Sequence, residues 1–246
     1  MEKKEYVERF YRNWCVKEED IQSYNVKYKE SDLFIKSDKD FSKVVVDLLR
    51  GLHKDIINYS SMDPRFLRAL EYYETDIPKP YVVQLMFDSA KRFNVGPMAA
   101  VAGAISQIVG EKLSEYSNTV IIENGGDIFI KSYSETTIGI FAGESPFSER
   151  IGIKIAPTFE SSIGICTSSG TVGPSKSFGI ADAAVILAEN AALADAAATA
   201  LGNLVQMKTD IKELLEDFVN KHKLIGGMII RGTELAVYKV EILKIS

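Results

Sequence analysis

Histidine, cysteine and tryptophan are scarce in this 246-residue chain, at two, two and one. Cys15 and Cys166 are too few for a disulfide framework, which predicts a reducing compartment, the cytoplasm. His53 and His222 have no second histidine or cysteine beside them at ligand spacing, which argues against a zinc site. His53 lies between Leu52 and Lys54 on a predicted amphipathic helix, and His222 between Lys221 and Lys223; both read as surface or boundary residues. A metal, if bound, is then held by oxygen, which means magnesium or another hard ion. Basic residues are outnumbered, 29 against 34 acidic, for a net charge of −5. That balance leaves no broad basic footprint for nucleic acid or an anionic membrane. The longest uncharged run, residues 93–110, falls short of the about 20 residues a membrane span needs. It also carries Pro97, Gly96, Gly103 and Gly110. No apolar stretch follows Met1-Glu2-Lys3-Lys4-Glu5, so no signal peptide is expected. No G-x-G-x-x-G follows a predicted strand, and the Walker-like spacing of 170–177 has Ser175 where glycine must precede the lysine.

What is present describes a globular chain, with 46% hydrophobic and 26% charged residues. Val26 to Tyr28 and Leu33 to Ile35 read as strands around a Lys29-Glu30-Ser31-Asp32 turn. Phe41, Val44, Val45, Leu48, Leu49, Leu52 and Ile56 then fall at helical spacing, predicting a helix over 40–59. Asp63-Pro64 predicts a short restart carrying Leu67 and Leu70, and 81–93 reads as a further helix. Gly96-Pro97 opens another, with proline at its favoured first position and an end by Tyr116. Its stretch 98–110 is apolar on nearly every face and rich in Ala and Gly, as a buried helix would be.

Strand-like runs follow at 119–122, 127–130, 137–141, 151–155, 162–166 and 183–187. Helices are predicted at 191–204 and 210–220, and closing strands at 228–230 and 235–242. Helices cluster early and strands late, which gives an α+β fold with an antiparallel or mixed sheet packed against helices. With no repeat and no linker-like segment, residues 1–246 read as a single domain. Late edge strands of such a sheet often pair, which makes a homo-oligomer an expectation.

Three stretches carry candidate chemistry. In Glu123-Asn124-Gly125-Gly126-Asp127 the glycines permit a tight hairpin or close approach to a ligand. In Cys166-Thr167-Ser168-Ser169-Gly170-Thr171-Val172-Gly173, consecutive hydroxyls and glycines could make an anion-binding nest or an ordinary polar loop. In Ala194-Asp195-Ala196-Ala197-Ala198-Thr199-Ala200 a carboxylate and a hydroxyl four residues apart share one face of an otherwise apolar helix. They could ligate a hard cation, or Asp195 could stabilise the dipole of its own helix.

Taken in order, these motifs resemble the ApbE superfamily, whose best-known members are magnesium-dependent FAD:protein FMN transferases. The likeness is nearest to a shorter, uncharacterised branch. It covers most of the chain through "VGPMAAVAGAI" (95–105), "ENGGDIFI" (123–130), "TSSGTVG" (167–173) and "ADAAATA" (194–200). The resemblance implies an ApbE-like fold, and it implies catalytic and Mg²⁺-holding roles for Asp195 and Thr199. It implies flavin-nucleotide contacts at Asn124, Gly125, Gly126, Asp127, Ser168, Ser169, Gly170 and Thr171. FAD and FMN would be the cofactors, and an acceptor protein the partner. The transferases also carry a His-x-x-Asp-Pro segment between loop and helix. Here only 24 residues (171–194) lie between Gly170 and Asp195, none of them histidine, and Pro174 follows Gly173. A binding module without turnover, and a different metabolic enzyme on the same fold, therefore stand as alternatives.

Overall fold

The computed structural model describes residues 21–159, 161–170 and 179–245. Thr171 and Pro174 lie outside these described residues.

The sequence alternates helical and two-residue periods, and each period has its own layer. Eight strands form one sheet: β1 (Gln22–Tyr28), β2 (Ser31–Ser37), β3 (Val120–Asn124), β4 (Asp127–Lys131), β7 (Ile163–Ser168), β8 (Ala183–Ala188), β9 (Gly226–Arg231) and β10 (Glu234–Tyr238). They are neighbours in that order, and every pairing is antiparallel. A smaller antiparallel sheet joins β11 (Glu241–Lys244), β6 (Ile151–Ile155) and β5 (Thr136–Gly139).

Alternation along the strands explains the layering. On β4, Phe129 packs into the core shared with the helices, while Ile128 and Ile130 pack into a second core. That second core unites Ile165, Val185, Leu187 and Ile230 of the large sheet with Ile138 and Ile153 of the small one. The result is three layers: helices, large sheet, small sheet.

The helices are α1 (Ser42–Met62), α2 (Tyr81–Phe93), α3 (Val101–Leu113), α4 (Ala191–Leu204) and α5 (Ile211–Lys221). A 3-10 turn, Pro97–Ala100, leads into α3. Side chains local to the chain start three of them. Asp40 accepts the Ser42 N–H at the head of α1 at 2.7 Å. Asn190 accepts the Leu193 N–H at the head of α4, and Asp210 accepts the Lys212 and Glu213 N–H groups at the head of α5. The residue before α3 is Ala100, which has no such group to offer.

Close approach, rather than bulk, packs α3. A β-carbon at Gly110 would lie 2.2 Å from the Phe129 ring, and one at Gly103 would lie 2.3 Å from the Ala191 carbonyl oxygen. Glycine at both positions lets α3 lie directly on the sheet and on α4.

Several expectations need correction. The restart after Asp63-Pro64 is a series of turns with no helix, and Leu67 and Leu70 are exposed; only Phe66 enters the core there. The stretch 235–242 is two strands in different sheets, broken at Lys239, whose φ is 56°. His53 is buried, with Nε2 2.9 Å from Ser31 Oγ and its ring edge-on to Tyr28. It fastens the first hairpin to α1, and the polar sequence neighbour Lys54 had concealed that inward face.

Candidate functional site

The hairpin between β3 and β4 is a two-residue turn, since Asn124 and Asp127 are directly paired. Gly125 and Gly126 have φ of 72° and 105°, the left-handed pair that a type I′ turn demands. Glu123 Oε1 accepts the Gly126 N–H at 2.9 Å, so that acid closes the turn. Asn124 and Asp127, being paired, project to the same side. Asn124 Nδ2 donates to the Ala102 carbonyl at 3.3 Å, which identifies that side as the helix face.

Asp127 in turn pairs with Cys166 on β7. The Cys166 thiol donates to the Ala191 carbonyl oxygen at 3.2 Å, so α4 begins directly above this strand pair. Gly164 leaves the room: a β-carbon there would sit 2.4 Å from the Ala191 backbone. The thiol is fully buried, and its pKa is pushed well up by burial and then by the carboxylates of Asp127 and Asp195. It stays protonated at neutral pH in the metal-free protein.

Asp195 stands one turn after Ala191. Its Oδ2 accepts the Gly103 N–H at 2.9 Å, in the first turn of α3. The dipole it serves therefore belongs to another helix, not to α4 as its position near the α4 start suggested. Asp195 keeps a partial opening to solvent. Protein nevertheless crowds it closely enough that desolvation, followed by repulsion from Asp127, holds its pKa well above the usual carboxylate range. The amides of Gly103 and Ala102 pull in the opposite direction without prevailing. Two acids sharing one enclosed space is a chemically expensive arrangement that a cation would relieve.

Thr199 follows Asp195 by one helical turn on the same side, also partly open to solvent. Gly202, three residues further, faces Ser168: a β-carbon there would lie 3.3 Å from Ser168 Oγ. Gly170 donates its N–H to the Ala181 carbonyl at 2.9 Å. The end of β7 thus borders the later turns of the α4 face that begins with Asp195. Of the residues singled out from sequence, Asn124, Asp127 and Asp195 converge on the α3 start. Thr199 and Ser168 continue along α4, and Gly125 and Gly126 shape the turn alone. For Ser169 the backbone places it between Ser168 and Gly170 at the strand exit.

The donor set fits a hard cation. Asp195 and Thr199 would supply oxygen, Asp127 stands near as a second acid, and the Cys166 thiol is committed to the Ala191 carbonyl. Among the described residues no group of three or more His, Cys, Asp or Glu is arranged to hold a metal. A cation here would complete its shell from backbone oxygen, water or ligand phosphate, which is magnesium's ordinary habit.

Sequence reasoning missed the amides of Ala102 and Gly103 and the buried pair Ser106 and Gln107. The signal available was the run 95–105, whose small residues and proline start implied a helix N-terminus closely approached by something. Among the described residues, no single helix is long and apolar enough to cross a membrane.

Comparison with known proteins bears on the family and the fold. The family model described as AbpE bacteria matches residues 12–217, which takes in all three motifs. A UPF0280 protein of Methanothrix thermoacetophila is 42% identical over 182 residues, 73% of this chain and 76% of that protein. A UPF0280 protein of Methanococcus vannielii is 38% identical over 219 residues, covering 85% and 87%. Among solved structures, the apo form of Pseudomonas stutzeri flavinyl transferase ApbE superposes with a TM-score of 0.57 at 12% identity, covering 88% of this chain and 93% of that one. The apbe protein of Thermotoga maritima gives 0.53 at 13% identity, covering 88% and 97%. At such identities the likeness is one of fold, and the fold is ApbE-like. The chain belongs to the AbpE bacteria family, in company with the UPF0280 proteins.

Proposed function

We propose that this protein binds a flavin nucleotide, FAD or FMN, together with Mg²⁺, between the Asn124–Asp127 hairpin, the Ser168–Gly170 strand exit and the Asp195/Thr199 face of α4. The observation that carries the reading is the enclosure of Asp195 beside Asp127 with one oxygen fixed by the Gly103 N–H. Burial first, and repulsion from Asp127 second, hold its pKa well above the ordinary value, and a cation would relieve both. Asp195 and Thr199 would hold the ion. When bound, Mg²⁺ supplies neutralisation of pyrophosphate charge and polarisation of a phosphoryl oxygen.

The chain's own groups do the rest. Asp195 is preset by the Gly103 N–H, so its carboxylate would meet an ion without a rotamer search. Asn124 is fixed by the Ala102 carbonyl and holds the hairpin against α3. Gly125 and Gly126 leave the turn without side chains where a flat ring system could approach. Ser168 and Ser169 would offer hydroxyl donors to phosphate oxygens, with Thr171 assigned there by its motif alone, while the Gly170 N–H is committed to the Ala181 carbonyl. Transfer of FMN to a threonine hydroxyl of an acceptor protein is the reaction this arrangement suits. We place the whole chain, 1–246, in one unit that performs it in the cytoplasm.

Binding without transfer is the second reading, favoured by Pro174 and by the lack of histidine between Gly170 and Asp195, which leave no imidazole to carry a proton there. FAD titration by fluorescence, with and without Mg²⁺, tests the proposal on wild type and Thr199→Val. Saturable, Mg²⁺-dependent binding that weakens in the variant supports it; equal or absent binding in both rejects it. Release of AMP from FAD in the presence of Mg²⁺ then separates transfer from binding alone.

A further inference from the structure

Helices α3 and α4 cap one another. Asp195 of α4 accepts the Gly103 N–H near the start of α3, at 2.9 Å. In return Gln107 of α3 accepts, through Oε1, the Ala191 N–H that opens α4, at 2.8 Å. Both donors are first-turn amides, which have no partner within their own helix. Gly103 permits the approach, because a β-carbon there would lie 2.7 Å from Asp195 Cβ.

The residue before Gln107 performs a matching task on the other acid. Ser106 is fully buried, and its Oγ donates to the backbone carbonyl of Asp127 at 2.9 Å. Consecutive residues of α3 therefore grip the backbones that carry both carboxylates. Gln107 is itself buried, and its Nε2 donates to Glu111 Oε1 at 2.8 Å, which fixes the amide's orientation. Ala191 and Asp195 are one turn apart on the same face of α4, so the grip at Ala191 sets where the Asp195 carboxylate stands.

We infer that Gln107 is a positioning residue for the site: it holds the first turn of α4 so that Asp195 faces the incoming cation. The inference rests on the reading of Asp195 as a cation donor. A buried glutamine that only capped α4 would make the same two bonds, so the metal and Gly103 exchange readouts are what separate positioning from capping.

The test uses the full chain, Mn²⁺ alone as probe, and three variants. Gln107→Met keeps shape and removes the acceptor. The exchange Gln107→Glu with Glu111→Gln restores an acceptor toward Ala191 and preserves both the 107–111 pairing and total charge. Electron paramagnetic resonance titration gives the Mn²⁺ affinity of folded protein, and amide hydrogen exchange at Gly103 reports the Asp195 bond without any metal. We expect Mn²⁺ affinity to fall on the order of 10-fold in Gln107→Met, the usual cost of losing support behind a metal ligand, and to return in the exchanged pair. Gly103 exchange should quicken in Gln107→Met more than global stability explains. Wild-type Mn²⁺ affinity and unchanged Gly103 exchange in Gln107→Met overturn the inference, as does lost affinity that the exchanged pair fails to restore. If wild type binds no Mn²⁺, the cation reading falls, and the Gly103 exchange result alone decides whether Gln107 positions Asp195. Should Gln107→Met not fold, Gln107→Asn, one methylene too short to reach Ala191, takes its place with the same expected results.

Discussion

Gly103→Ala is the smallest change that should disturb the site. The added carbon would sit 2.3 Å from the Ala191 carbonyl oxygen, 2.8 Å from its carbon and 2.7 Å from Asp195 Cβ. Two of those three atoms are backbone, so no side chain can swing aside, and α3 and α4 must part. Overpacking of this kind costs about 1–3 kcal/mol, here near the top because the obstacle is main chain. Parting the helices also weakens the Gly103–Asp195 hydrogen bond, worth about 1 kcal/mol. Alanine's better helix propensity returns about 1 kcal/mol. The net loss is roughly 2–3 kcal/mol, which for a chain of this length lowers the melting temperature by on the order of 8 °C.

Gly51→Ala is the control. Gly51 is an exposed helical glycine of α1 with nothing within 4 Å of the added carbon. Only the propensity gain remains there, and the variant should be more stable by up to about 1 kcal/mol. Thermal unfolding followed by circular dichroism measures both. Gly103→Ala melting at or above wild type would refute the claim that the two helices meet at van der Waals limits over the site.

Three further outcomes follow from the same geometry. Gly126→Ala should lose about 1–2 kcal/mol in urea unfolding although its β-carbon meets nothing closer than 3.9 Å, because the penalty comes from a φ of 105°. Asp210→Ala should lose about 1 kcal/mol with the cap of α5, and Mn²⁺ affinity should stay unchanged because α5 contributes nothing to the site. For Asp195, whose folded pKa is raised above its unfolded value, the folded state binds more protons. The metal-free protein should therefore lose stability as pH rises from about 4 toward and through the folded pKa. Asp195→Asn should abolish that decline and be the more stable form at pH 7 in chelator; denaturant midpoints across the pH range check both.

The long periodic segments were legible in the sequence. The helices Tyr81–Phe93 and Ala191–Leu204 have the boundaries their patterns predict, and the Gly125-Gly126 turn has the two positive φ values that its residues invite. Legibility failed where a partner comes from far along the chain. Asp195 sits near the start of α4, and local reasoning gives it that helix's dipole, whereas its hydrogen-bond donor lies 92 positions earlier. Gln107 reads as a stray polar residue in an apolar helix until Ala191 is placed against it, 84 positions later. Leu67 and Leu70 show the opposite error: apolar residues at helical spacing stay exposed because nothing among the described residues covers them. The motif residues could be chosen from sequence, but which of them meet is decided by the antiparallel order of β3, β4 and β7 beneath α3 and α4.

The most direct test of the central claim is anomalous diffraction from crystals of the full chain soaked in FAD and Mn²⁺. The account predicts one manganese peak at about 2.0–2.3 Å from side-chain oxygens of Asp195 and Thr199, with flavin nucleotide beside the Asn124–Asp127 hairpin. Manganese and flavin bound elsewhere, or no manganese at that face of α4 in crystals that hold FAD, would contradict it.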